Sequence, residues 1–147
     1  MGRRPKKAGQ QDIGRSRGGL TTKLHVAVDA LGNPLRVILS AGQVADIEQA
    51  AALIKDQPAE FIVADKGYDS DAFIDTITIQ GGQAVIPPRA NRLSPRSFDK
   101  HIYKSRNLIE RFFSRIKQFR RVATRYDKLA KSFLSFVHLA CAIVWLA

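Results

Sequence analysis

The stretch Phe61-Ile62-Val63-Ala64-Asp65-Lys66-Gly67-Tyr68-Asp69-Ser70 decides the fold class. Its apolar run is a short buried strand, and Lys66-Gly67 closes that strand with a turn. Asp65 then stands at the carboxyl end of a strand, where open α/β sheets gather their ligands. Taken alone, it reads equally well as a turn residue.

Working outward, Lys23-Leu24-His25-Val26-Ala27-Val28-Asp29 alternates with period two and sets Leu24, Val26 and Val28 on one face. Leu31-Gly32-Asn33-Pro34 is a turn signal, so Asp29 is a hairpin-end residue and Leu35 to Leu39 return antiparallel. Asp46 is a candidate N-cap for a helix through Ala50, Leu53 and Ile54. Downstream, Ser70 or Asp71 opens a helix carrying Phe73, Ile74 and Ile77, and Gly81-Gly82 ends it. Ala84-Val85-Ile86 is a short strand stopped by Pro87-Pro88. A basic loop leads to Asp99, a candidate cap for the next helix, and a final apolar helix covers about residues 128–146. The order is strand, strand, helix, strand, helix, strand, helix, helix, which is a mixed α/β domain. No internal repeat is visible.

The helix after Asp99 carries Tyr103, Arg106, Glu110 and Lys117 at spacings of three, four and seven. At about 100° per residue these share one face. Ile109, Phe112, Phe113, Ile116 and Phe119 occupy the adjacent arc, which can dock on a core. A carboxylate between two cations and a phenol suits charged-substrate chemistry. The plainer reading is a solvated face, with Glu110 paired to Arg106 or Arg111.

Net charge is +11 over 147 residues, and it is unevenly placed. Residues 1–23 hold seven Lys/Arg and one acid, residues 24–88 three and nine, and residues 89–131 fourteen and three. An acidic block containing Asp65 is therefore flanked by two basic ones, a layout that suits a polyanion. Charge alone leaves solubility, or RNA binding of the ribosomal-protein kind, equally open. Residues 1–18, rich in Arg, Lys, Gly and Gln, read as a flexible basic arm before a domain at 19–147. A single cysteine, Cys141, excludes an internal disulfide and fits a reducing cytoplasm. The apolar run 133–147 is shorter than the roughly 20 residues a membrane span needs. It reads as a buried helix, with Cys141 buried and inert.

Two other chemistries fit poorly. Asp69, Asp71 and Asp75 lack the spacing and terminal glutamate of an EF-hand, and read as helix-start charge and capping. His25, His101 and His138 are dispersed and have no zinc spacing.

The chain resembles the DDE transposases of bacterial insertion sequences, in particular the insertion-sequence-four and insertion-sequence-five groups. Three segments carry the resemblance. Tyr103, Arg106, Glu110 and Lys117 match the Y-(2)-R-(3)-E-(6)-K signature at every position. Asp65-Lys66-Gly67-Tyr68 matches the second acidic motif, and Ile13-Gly14-Arg15-Ser16-Arg17-Gly18-Gly19-Leu20-Thr21-Thr22-Lys23 looks like the entry to the catalytic domain.

The resemblance implies a ribonuclease H-like fold and DNA transposition by metal-dependent strand cleavage and transfer. It implies two Mg2+ (or Mn2+) ions bound by Asp65, Glu110 and a first aspartate. Tyr103 and Arg106 would orient the phosphate or the DNA end, and Lys117 would contact backbone phosphate. Further implications are transposon-end and target DNA as partners, a homo-oligomeric active complex, and a nucleoid-associated cytoplasmic location with no membrane. The family's first aspartate lies on a strand upstream of the Gly-Arg-Ser-Arg-Gly-Gly segment. Neither Asp12 nor Asp29 matches it, so the expectation is a domain lacking its first strand. A frameshift product, a truncated copy and a misassigned start would each account for that. The other expectation is a non-enzymatic DNA-binding or inhibitory fragment.

Overall fold

In the computed structural model, residues 14–16, 19–119 and 130–147 are described. The hairpin expected from alternation is present. β2 (Gly19–Val28) runs antiparallel to β3 (Pro34–Ala41), with Leu24 opposite Leu39 and Val26 opposite Val37. Its turn is built by Asp29, whose Oδ1 accepts from the backbone N–H groups of Leu31 and Asn33, both at 2.9 Å. Gly32 sits at φ +82°, a left-handed conformation that a side chain resists. β1 (Gly14–Ser16) pairs antiparallel with the start of β2, inside the stretch expected as an arm. The rest of the arm lies outside the described residues.

Asp46 does not cap a helix. Its carboxylate meets Lys23 Nζ at 3.1 Å, and the chain passes through a 3-10 turn (Asp46–Gln49) into the short α1 (Ala50–Ile54). The long-range cation takes the oxygen that capping needs. At the other end of α1, Arg36 from β3 donates to the carbonyls of Ala52 and Lys55, both at 2.6 Å, a cation placed on a helix C-terminus.

β4 (Phe61–Val63) and β5 (Gln83–Val85) pair in parallel, joined by α2 (Asp71–Ile79). Ser70 is the N-cap of α2 and accepts from the Phe73 N–H. Asp99 caps α3 (Lys100–Tyr103), accepting from His101 and Ile102. A 3-10 turn (Lys104–Arg106) separates α3 from α4 (Asn107–Ile116), where one unbroken helix is expected. The last helix is α5 (Ala130–Leu146).

The five strands form two sheets, β1-β2-β3 and β4-β5. Two apolar clusters go with them. Phe112 and Ile116 of α4 pack with Phe133, Val137, Ala140, Cys141 and Val144 of α5 beneath Leu24, Val26, Val28, Val37 and Leu39. The second cluster joins Ala50, Ile54, Phe73, Ile77 and Ile86. Cys141 is buried, as expected, and burial pushes its thiol up from the ordinary value. The single tryptophan, Trp145, donates its indole N–H to the Pro34 carbonyl at 2.7 Å and ties α5 to the start of β3. No described helix is long and apolar enough to cross a membrane.

On the other face of the hairpin, buried His25 lies 2.6 Å from Ser40 Oγ. Burial lowers its imidazole pKa; Asp46 opposes that shift and Lys23 adds to it.

Candidate active site

The Asp65 turn is built locally. Ala64 N–H still bonds to the Val85 carbonyl at 3.3 Å, so the pairing of β4 with β5 reaches the residue before Asp65. Asp65 has extended φ/ψ and caps a 3-10 turn (Lys66–Tyr68), its Oδ1 accepting from Gly67 N–H at 2.8 Å. A Cβ at position 67 would stand 2.9 Å from that oxygen, so glycine here is a matter of space. Tyr68 follows with its ring 6.1 Å from that of Phe73. Burial, then the charges of Asp46 and Asp65, push its phenol up to about 12.

The basic loop after Pro88 folds back onto this turn. Arg89 donates from Nη2 to the Gly67 carbonyl at 2.8 Å and from Nε to the Lys66 carbonyl at 3.2 Å. Asp69, with its side chain wholly buried, is the anchor. It accepts from Arg89 backbone N–H at 2.8 Å, from Arg92 Nε at 2.7 Å and from Arg96. Arg92 also reaches Asp71 at 2.6 Å. Burial alone would raise the Asp69 carboxyl, but the bonds from Arg92 and Arg89 and the Arg96 charge outweigh it and hold the group below its ordinary range. Asp69 thus corrects the expectation of a helix-start charge: its partners lie 20 or more residues away. Only the run of arginines after Pro87-Pro88 hints at this in sequence. An open depression of about 600 Å³ lies between α2 and the loop, lined in part by Ser70, Asn91 and Ser94.

On the α3–α4 stretch, the structure brings together Tyr103, Arg106 and Glu110. In a 3-10 turn side chains three apart eclipse, and the Arg106 guanidinium lies 5.9 Å from the Tyr103 ring centre. One turn on, Arg106 Nη2 meets Glu110 Oε1 at 2.5 Å. Both partners are substantially solvated, so the pair adds little stability. Phe98 packs edge-on to Tyr103 at 5.4 Å. Lys117 is the exposed C-cap of α4. The apolar arc faces inward as expected, with Phe112 and Ile116 buried.

Among the described residues, no hydrogen bond or ion pair links Asp65 to Glu110, and no three His, Cys, Asp or Glu side chains come together as metal ligands. Carboxylate oxygens are the hard donors Mg2+ prefers. The described residues supply too few in one place, and Glu110 is engaged by Arg106. They do not make a magnesium site by themselves.

These features define a mixed α/β domain that sets separate acidic residues among many cations. The chain belongs to the transposase DDE domain family, whose sequence profile matches residues 2–145. It is 40% identical over 131 residues to a protein described as the transposase for insertion sequence element IS6501 of Brucella ovis, covering 86% of this chain and 99% of that one. It is 29% identical over 150 residues to one described as the transposase for insertion sequence element IS402 of Burkholderia cepacia, covering 94% and 68%. No solved structure matches it.

Proposed function

We propose that this chain is the C-terminal catalytic portion of an insertion-sequence transposase of the insertion-sequence-four/five type, with a ribonuclease H-like fold. It acts in DNA strand cleavage and transfer. One observation carries the reading: a family match spanning residues 2–145 that includes both the Asp65 turn and the helix bearing Arg106 and Glu110. In such a reaction, a water or 3′ hydroxyl oxygen attacks phosphorus, the opposite P–O bond breaks, and the leaving oxygen takes a proton. Asp65 and Glu110 are two of the acids for a divalent cation, Mg2+ or Mn2+. Arg106, with its planar fork, and Tyr103 orient the phosphate, and Lys117 supplies a point charge to the backbone. Transposon-end and target DNA are the partners, in a homo-oligomeric complex at the nucleoid.

The third acid comes from an upstream strand. Beyond Thr21 the outer edge of β2, like the outer edge of β4, has no strand partner among the described residues. Open edges of this kind recruit a strand, and one placed between the two sheets would join them. Residues 1–147 alone should therefore cleave a DNA-end substrate with Mg2+ or Mn2+ poorly or not at all. Joining the upstream segment should restore cleavage and sharpen thermal unfolding. Robust cleavage by 1–147 alone would overturn this part of the reading.

The same shortfall of grouped acids favours a second reading, a non-enzymatic DNA-binding or inhibitory fragment. An upstream fusion that binds ends yet never cleaves would select it. Under either reading the chain binds DNA through phosphates. Affinity should fall steeply, by about a factor of ten or more between 50 and 200 mM salt, because bound cations release counterions. Neutralising Arg3, Arg4, Lys6 and Lys7 should flatten the slope in a filter-binding series. A response already flat in the unmodified chain would mean that the basic blocks do not face DNA.

A further inference from the structure

We propose that Arg89, anchored by Asp69, is a positioning residue that holds the Asp65 carboxylate in one orientation. The role rests on the reading of Asp65 as a catalytic acid. Asp65 Oδ1 is fixed by a single bond from Gly67 N–H, so its aim depends on how firmly the turn is held. That turn is short and partly solvated, and a three-residue 3-10 segment is weak on its own. Arg89 supplies what the turn lacks. Its guanidinium takes the carbonyls of Lys66 and Gly67 at once, on either side of the peptide whose N–H holds Asp65.

The guanidinium is itself held at its root, because the Arg89 backbone N–H donates to the wholly buried Asp69 carboxylate. Pro87-Pro88 restricts the chain on the approach. Asp69 in turn is fixed by Arg92 and Arg96. The loop thus reaches from the end of β5 to the end of β4 and closes over the acid. A planar fork spanning two carbonyls is a task lysine cannot reproduce with one ammonium. Arg89 is exposed, so replacing it should leave the fold intact.

The test compares wild type with Arg89→Ala and Arg89→Lys by NMR solvent-exchange rates of single amides in residues 1–147. The Gly67 amide should exchange roughly tenfold faster in Arg89→Ala, from the loss of two bonds to the turn. It should exchange a few-fold faster in Arg89→Lys, while the Ile77 amide in the core keeps its wild-type rate. Unchanged Gly67 exchange overturns the proposal. So does a parallel rise at Ile77, which would make Arg89 a general brace.

A second arm measures end cleavage in the upstream fusion. Arg89→Ala should lower it roughly tenfold, with DNA affinity unchanged. Wild-type cleavage by Arg89→Ala, where Asp65→Asn abolishes it, would sink the positioning role and leave the catalytic reading standing. Wild-type cleavage by Asp65→Asn would remove the catalytic reading and the positioning role with it, even if Gly67 exchange responds to Arg89.

Discussion

Asp65→Asn and Glu110→Gln should each abolish DNA strand cleavage by the chain joined to its upstream segment, while DNA affinity stays within about a factor of three. Both replacements keep the size of the side chain and remove its negative charge. A divalent cation stabilising the reacting oxygens contributes several kcal/mol to the transition state. At about 1.4 kcal/mol per factor of ten, losing that contribution costs on the order of a thousandfold or more in rate. Binding rests on Lys and Arg contacts to phosphate, and these substitutions leave every cation in place. Glu110→Gln also frees Arg106 from its 2.5 Å ion pair, so its affinity should rise slightly if it changes. Cleavage and gel-shift assays on the same preparations separate the two effects. Wild-type cleavage by either variant would remove that residue from the reaction centre.

Asp69→Ala should destabilise the chain by about 3 kcal/mol at pH 7, as expected when one partner of a buried ion pair is removed. Three arginines converge on Asp69, and deleting it leaves Arg92 and Arg96 facing each other with no shared counter-ion. The two guanidinium groups are themselves partly solvated, which keeps the cost towards the lower end of the range for buried pairs.

The pH dependence has a definite sign. The folded state holds the Asp69 carboxyl below its ordinary 3.8, so the folded chain keeps this group ionised to lower pH than the unfolded chain does. Its contribution is complete above 3.8 and is lost as pH falls from there through the folded value. Urea denaturation at pH 7 and near pH 3 should show the gap between wild type and Asp69→Ala narrowing in acid. A variant within about 0.5 kcal/mol of wild type at pH 7, the range of an ordinary surface change, would mean the arginine cluster is ornamental.

What could be read from the sequence was local. The hairpin followed from alternate apolar residues and from Asp29 ahead of a glycine turn, because both signals act within a few residues. The caps at Ser70 and Asp99 and the inward arc of Phe112 and Ile116 were legible for the same reason. So was the grouping of Tyr103, Arg106 and Glu110, which spacing alone puts within reach.

Long-range electrostatics was not legible. Asp46 looked like a cap because aspartate before an apolar helix usually is one, but Lys23, on a strand 23 residues earlier, claims it. Asp69 looked like helix-start charge until the loop of residues 89–96 folded back on it. The 3-10 turn at Lys104–Arg106 breaks a helix that periodicity alone would run through. Nor does any pattern in the sequence tell whether Asp65 and Glu110 act on one substrate, since that depends on how separate elements meet.

The bond from Trp145 to Pro34 gives the chain a built-in optical reporter. It is the only indole in the sequence, so tryptophan emission arises from one place, the seam between the last helix and the root of the hairpin. A red shift on heating or on adding DNA would report that seam opening. Rearrangement confined to the Asp65 turn would leave the emission unchanged, so the two ends of the domain can be followed separately in one cuvette.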